Sequence, residues 1–144
     1  MNNKSIDIKD KVIFVTGAFG LIGKQISKAF LKEEAKVVLA DINANVIDTL
    51  QKELAAEFDA ANFFITTVDI TNEESVNSAV EATVSKFGSF DVLINNAAID
   101  AKFDKDGMGK INQSRFENYP IDLLRKSVEV NLTGTIIMTQ AACK

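Results

Sequence analysis

The 144 residues are 47% hydrophobic and 25% charged with a net charge of −4, which describes one ordinary soluble globular domain. No Lys/Arg block interleaves with aromatics, no apolar run reaches membrane-span length, and Met1 to Lys11 is polar rather than leader-like, so nucleic acid and membrane are not expected partners. The single cysteine, Cys143, excludes an internal disulfide and suits a reducing cytoplasm, and the absence of histidine excludes His-based triads and His metal sites.

Val12 to Val15 is a short run of β-branched and aromatic residues, the composition of a strand buried on both faces. It stops at Thr16-Gly17, and a helical pattern begins near Gly20. Gly17, Gly20 and Gly23 follow at spacings of three and three. A strand that turns over glycines into a helix exposes backbone N–H groups at the positive end of that helix, a site for a diphosphate. Gly17 would permit the turn, Gly20 the approach of phosphate, and Gly23 close packing of helix on sheet. The competing reading is a Gly-rich turn in some other α/β protein, and the motif needs its strand, helix and downstream acid to count.

Ile22, Ile26, Ala29 and Phe30 recur at helical spacing to about Glu33. Glu33-Glu34-Ala35 stands where a helix usually ends on glycine, so one of these residues is expected to be left-handed. A second strand, Lys36 to Ala40, ends at Asp41. Asn43 is placed to cap a helix with Val46, Ile47, Leu50 and Leu54 as its stripe, and Phe63 to Val68 reads as a third strand ending at Asp69. Thr71-Asn72-Glu73-Glu74 matches a capping box with Thr71 at the cap. The helix behind it carries Val76, Val80, Val84 and Phe87 and stops at Gly88. Asp91 to Ile94 is a fourth strand, running into Asn95-Asn96-Ala97-Ala98.

This alternation predicts right-handed βαβ units and a parallel sheet covered on both faces, with ligands beyond the carboxyl ends of its strands. Thr16-Gly17, Asp41, Asp69 and Asn95 then converge on one rim. Residues 99 to 119, charged and aperiodic with Gly107 and Gly109, read as a loop insertion, either a lid or substrate segment or a solvated excursion. Pro120 suits the first turn of a long helix striped by Leu124, Val128, Leu132 and Ile136 and widened by Val130, Ile137 and Met138, to be buried against the sheet or a partner.

Asp41 follows Gly17 by 24 residues, and a carboxylate there would accept hydrogen bonds from adenosine ribose hydroxyls and repel a 2′-phosphate. Neither Ala18 nor Ile42 is a cation to receive that phosphate, so NAD is favoured over NADP; a helix-capping role is the alternative for Asp41, and more so for Asp69. Asn95 and Asn96 either tie neighbouring strands together and frame the cofactor ribose or form an Asx turn. Asn131 interrupts an apolar helix, where it either orders a water or carbonyl or satisfies a local group.

These residues resemble the short-chain dehydrogenase/reductase family from Lys11 onward. Thr16-Gly17-Ala18-Phe19-Gly20-Leu21-Ile22-Gly23 looks like its cofactor-binding turn, Asp41-Ile42 like its NAD-selecting acid and neighbour, and Asp69-Ile70 like its adenine-contacting pair. Asn95-Asn96-Ala97-Ala98 resembles its Asn-Asn-Ala-Gly motif, and Asn131 matches the Asn of its Asn-Ser-Tyr-Lys tetrad. The resemblance implies a Rossmann-type sheet of order 3-2-1-4, NAD as cofactor, hydride exchange with a small alcohol or carbonyl substrate, and catalytic participation of Asn131.

Two departures qualify it. The middle glycine is Gly20 rather than the residue at Leu21, a spacing that looks like the extended branch, many of whose members act on nucleotide sugars, whereas the Asn-Asn-Ala motif points back towards the short branch. A sugar-related substrate, as in a flagellin-glycan or nonulosonate pathway, would suit. The only tyrosine, Tyr119, precedes Asn131 and has Leu123 four residues on, so the family's Ser and Tyr-x-x-x-Lys are absent from these residues. The chain is therefore expected to be the cofactor-binding part of such an enzyme, stopping before a fifth strand, inactive by itself and self-associating through its uncovered edge and helix. The alternative is a non-catalytic NAD-binding or sensing module.

Overall fold

The computed structural model describes residues 7–100 and 116–144. Most of the loop anticipated at 99–119, including Gly107 and Gly109, lies outside the described residues. Four parallel strands, β1 (Val12–Thr16), β2 (Lys36–Asp41), β3 (Phe63–Thr67) and β4 (Val92–Ile94), form one sheet in the order β3-β2-β1-β4. The register pairs Thr16 with Ala40, Asp41 with Thr67, and Val15 with Ile94, which brings the four carboxyl ends to one rim. This is the Rossmann-type order expected.

Alternation along the central strand builds two cores. Val12 and Phe14 face one side, with Val38, Val68, Val76 and Met138, while Ile13 and Val15 face the other, with Leu31, Leu39, Leu50 and Leu54. The second side is covered by α1 (Leu21–Lys32) and α2 (Ile47–Ala55), the first by α3 (Glu73–Phe87) and α5 (Thr135–Ala142). Lys28 bridges Glu53 at 2.9 Å and Glu57 at 2.7 Å, tying α1 to α2. As anticipated, the turn after α1 contains a left-handed non-glycine residue, Glu34, at φ 61°.

Several local expectations shift. In α1 the buried positions are Gly23, Ser27 and Leu31, whereas Ile22 and Ala29 are exposed, because the helix meets the sheet through its smallest residues. In α3 the buried face is Val76, Ala79 and Thr83, and Val84 turns outward. Its cap is Asn72, whose Oδ1 accepts from the Ser75 N–H at 2.8 Å, rather than Thr71. Thr71 is instead drawn into a turn by Asp69, whose Oδ1 accepts from the Thr71 N–H at 2.9 Å. Asn43 does cap, accepting from the Asn45 N–H at 3.2 Å at the 3₁₀ turn Ala44–Val46 that leads into α2.

The long helix after Pro120 is three pieces: α4 (Ile121–Val128), a π-helical segment (Glu129–Gly134) and α5. Pro120 is the residue before the helix, in extended conformation at ψ 121°, rather than inside its first turn. The stripe expected to be buried is the exposed one: Leu124, Val128, Leu132 and Ile136 all face outward. Gly134, Met138 and Ala141 face the sheet instead, with Gly134 pressed beneath Ile70, and Val130 and Ile137 pack against the same core. The small residue at 134 is where the two elements can meet most closely, and that contact sets the rotation of the whole helix. Among the described residues no helix is long and apolar enough to cross a membrane.

Candidate functional site

At the carboxyl rim the chain leaves β1 and enters α1 over Gly17, whose φ is 63°. A Cβ at Gly17 would stand 2.7 Å from the Ala97 Cα, and one at Gly23 would stand 2.3 Å from the Gly17 carbonyl oxygen and 2.8 Å from the Asn96 Nδ2. Neither position has room for a side chain. Gly20 differs: a Cβ there would come no nearer than 3.5 Å to anything, so its open side faces the cavity rather than packed protein.

The turn is laced to the segment after β4. Thr16 Oγ1 donates to the Ile94 carbonyl at 3.3 Å and accepts from the Asn96 and Ala97 N–H groups, each at 3.0 Å. Asn96 Nδ2 donates to the Thr16 and Gly17 carbonyls, both at 3.0 Å. Of the two neighbouring amides it is therefore Asn96 that ties β4 to β1. Asn95 points the other way, donating to Thr139 Oγ1 on α5 at 3.1 Å, and does not line the cavity.

Asp41 closes the turn from β2. One carboxylate oxygen accepts from the Phe19 N–H and the other from the Asn43 N–H, each at 3.1 Å. Phe19 thus contributes its backbone to the rim while its ring packs on the α1–α2 core. The first turn of α1 has neither a side-chain cap nor an acidic residue, in contrast with α3, which has both. Its leading N–H groups remain donors for a ligand.

Together these elements enclose a cavity of about 860 Å³, within the size range of small-molecule and cofactor sites. Gly17, Gly20, Leu21, Ile22, Gly23, Asp41, Ile42, Ile70 and Ala97 line it, so most of the residues expected from sequence to bind the cofactor come together. Leu21, Ile22 and Ile42 are 88%, 70% and 69% exposed, aliphatic side chains held at the mouth rather than in a core. Thr16, Phe19, Asp69, Asn95 and Asn131 do not line it. Asp69 is occupied by Thr71, accepting from its Oγ1 at 2.6 Å as well as from its N–H.

Val68, Asn96, Ala98, Ile99, Lys126 and Val130 complete the lining. Lys126 and Val130 are four apart on one helix face, a spacing visible in sequence, but nothing in the pattern says which face the cavity meets. Asn131 acts one step removed. Its Oδ1 accepts from the Ile99 N–H and its Nδ2 donates to the Ile99 carbonyl, each at 2.9 Å. That two-point clamp holds the cavity wall at Ile99. Among the described residues, no group of three acidic or cysteine side chains could hold a metal ion.

An uncapped helix behind a glycine turn, at the carboxyl rim of a parallel sheet covered on both faces, is the arrangement of a Rossmann-type α/β domain. The model of the short chain dehydrogenase family matches residues 11–144, and the chain belongs to that family. It is 34% identical over 140 residues to the short chain dehydrogenase/reductase dpchG of Colletotrichum higginsianum, covering 97% of this chain and 48% of that protein. It is 30% identical over 135 residues to an oxidoreductase of Staphylococcus aureus, covering 94% of this chain and 52% of the other. The crystal structure of a short chain dehydrogenase from Mycobacterium smegmatis superposes with a TM-score of 0.79 at 28% identity, over 94% of this chain and 52% of that one. The chain thus spans about half the length of these relatives.

Proposed function

We propose that this chain is the dinucleotide-binding part of a nicotinamide-dependent oxidoreductase and that it prefers NAD. The observation that carries the reading is the uncapped first turn of α1, opening onto the cavity beside Gly20 with Asp41 across the turn. The donor set suits a bound diphosphate, held by backbone N–H groups at a helix N-terminus with no side chain in the way. Asp41 would meet the adenosine ribose, and Ile42, Val68, Ile70 and Val130 would flank the adenine. When bound, the nicotinamide supplies hydride chemistry; the residues described here bind, orient and shield.

The substrate in this reading is a small alcohol or carbonyl compound, and the spacing of the three glycines supports a sugar-related one. Cytoplasmic location and a homo-oligomeric state belong to the same proposal. The oxidoreductase relatives support oxidoreductase chemistry. These 144 residues contain no Tyr-x-x-x-Lys, since Tyr119 is followed four residues on by Leu123. We expect protein of these 144 residues to bind the dinucleotide without turning over a carbonyl or alcohol.

Asn131 gives the second reading its weight. Both polar atoms of its side chain are committed to the Ile99 backbone, a role that a non-catalytic NAD-binding or sensing module needs equally. Steady NADH oxidation by the pure protein would eliminate that module and refute the expected inactivity together.

The cofactor assignment is tested by titrating NADH and NADPH by protein-to-nicotinamide fluorescence transfer or calorimetry. Wild type should bind NADH more tightly, and Asp41→Ala should weaken NADH about tenfold while narrowing or reversing the preference, the size of one or two charged hydrogen bonds. Equal affinity of wild type for both dinucleotides would remove the NAD assignment, and no binding of either would remove the dinucleotide reading.

A further inference from the structure

Two charged side chains line the cavity among the described residues, Asp41 and Lys126. Their situations differ. The Asp41 carboxylate already accepts two backbone N–H groups. Lys126 has no ion-pair or hydrogen-bond partner among the described residues, whereas its neighbour Arg125 is taken up by Asp122 at 2.9 Å.

Lys126 precedes Val130 by one helical turn, so the two share a face. Val130 packs on the core with Val68 and Ile70 and lines the cavity at the same time. No residue of α4 is buried, so this helix stands clear of the sheet as a wall beyond the strand ends. Lys126 therefore lines the same space to which α1 presents the N–H groups of its uncapped end. A cavity with a free cation, a positive helix end, and one carboxylate already hydrogen-bonded suits a ligand that carries net negative charge.

We propose that Lys126 recognises the phosphate-borne negative charge of an adenine nucleotide in this cavity, adding a side-chain cation to the backbone donors of α1. The proposal rests on the dinucleotide reading above and adds a binding residue on an element that the glycine turn does not contain.

The test is calorimetric titration of wild type, Lys126→Gln and Lys126→Arg with NADH and with adenosine, which carries the base and ribose but no phosphate. Thermal melts of the three proteins should coincide, because residue 126 is exposed on a helix. Lys126→Gln should weaken NADH about tenfold, the scale of one hydrogen bond to a charged group, while Lys126→Arg stays within about twofold of wild type. Adenosine should bind all three alike. Unchanged NADH affinity in the Gln variant, equal losses in the Gln and Arg variants, or an equal loss for adenosine would each overturn the role of Lys126 and leave the dinucleotide reading standing. Failure of wild type to bind NADH would overturn both.

Discussion

Gly23 illustrates how little freedom the turn into α1 has. A methyl group there would meet the Gly17 carbonyl oxygen at 2.3 Å and the Ala18 Cα at 2.8 Å, both backbone atoms that cannot swing aside. Gly23→Ala should therefore lower stability by about 1–3 kcal/mol, the usual cost of overpacking, and should weaken NADH binding with it. A melt and a titration unchanged from wild type would show that the turn is looser than this geometry implies. The need for glycine was legible at this position, because the requirement is local to a strand–turn–helix. The choice between Asn95 and Asn96 was not. Successive side chains in extended backbone point to opposite sides, and a pair of identical amides does not say which one faces the neighbouring strand.

Asn131 links two elements, and its contribution is measurable as such. It pairs with both backbone groups of Ile99 from within the π-helical segment. Asn131→Ala should cost about 0.5–1 kcal/mol by handing those groups over to water, and should weaken nucleotide binding by loosening the wall at Ile99. Loss of stability with binding untouched would show that Ile99 does not shape the bound ligand's site.

Asp91 performs a comparable task at the other end of the sheet. Its carboxylate accepts from the Val12 N–H at 2.8 Å and the Ser89 hydroxyl at 3.1 Å, with Lys11 nearby. The Val12 N–H, then Ser89 and Lys11, hold its carboxyl below the usual carboxylate range against the opposing effect of burial. A depressed folded-state pKa gives stability that is present above the unfolded value and lost as pH falls through the folded one. The melting temperatures of wild type and Asp91→Asn should therefore differ at neutral pH and converge below about pH 4. A gap that stays constant down to pH 3 would assign the difference to packing rather than to charge.

Across the molecule, the outward stripe of Leu124, Val128, Leu132 and Ile136 continues the exposed Ile121, while β4 is a sheet edge among the described residues. An apolar helix face of this length beside a strand edge favours association. Sedimentation should find the protein self-associated at high concentration, and a Leu124→Glu/Ile136→Glu double variant should shift it toward monomer without loss of helix content. A wild type that sediments as a monomer throughout would remove the homo-oligomeric expectation.

The strands, the glycine turn and the acid at the end of β2 were legible in the sequence, because each follows from local pattern: apolar runs of strand length, helical spacing between them, and turn residues that no other side chain can replace; the order of the strands was an expectation from the family resemblance, and the sheet has it. Which face of the last helix meets the sheet was not. Its apolar residues run almost all round near the end, so periodicity has no clear phase. The rotation is set by Gly134 against Ile70, a contact between residues 64 apart in the chain. The same rotation turns Lys126 and Val130 to the cavity and the expected core stripe to the outside. Local composition specifies elements and turns; the face each helix presents is decided by packing between distant residues.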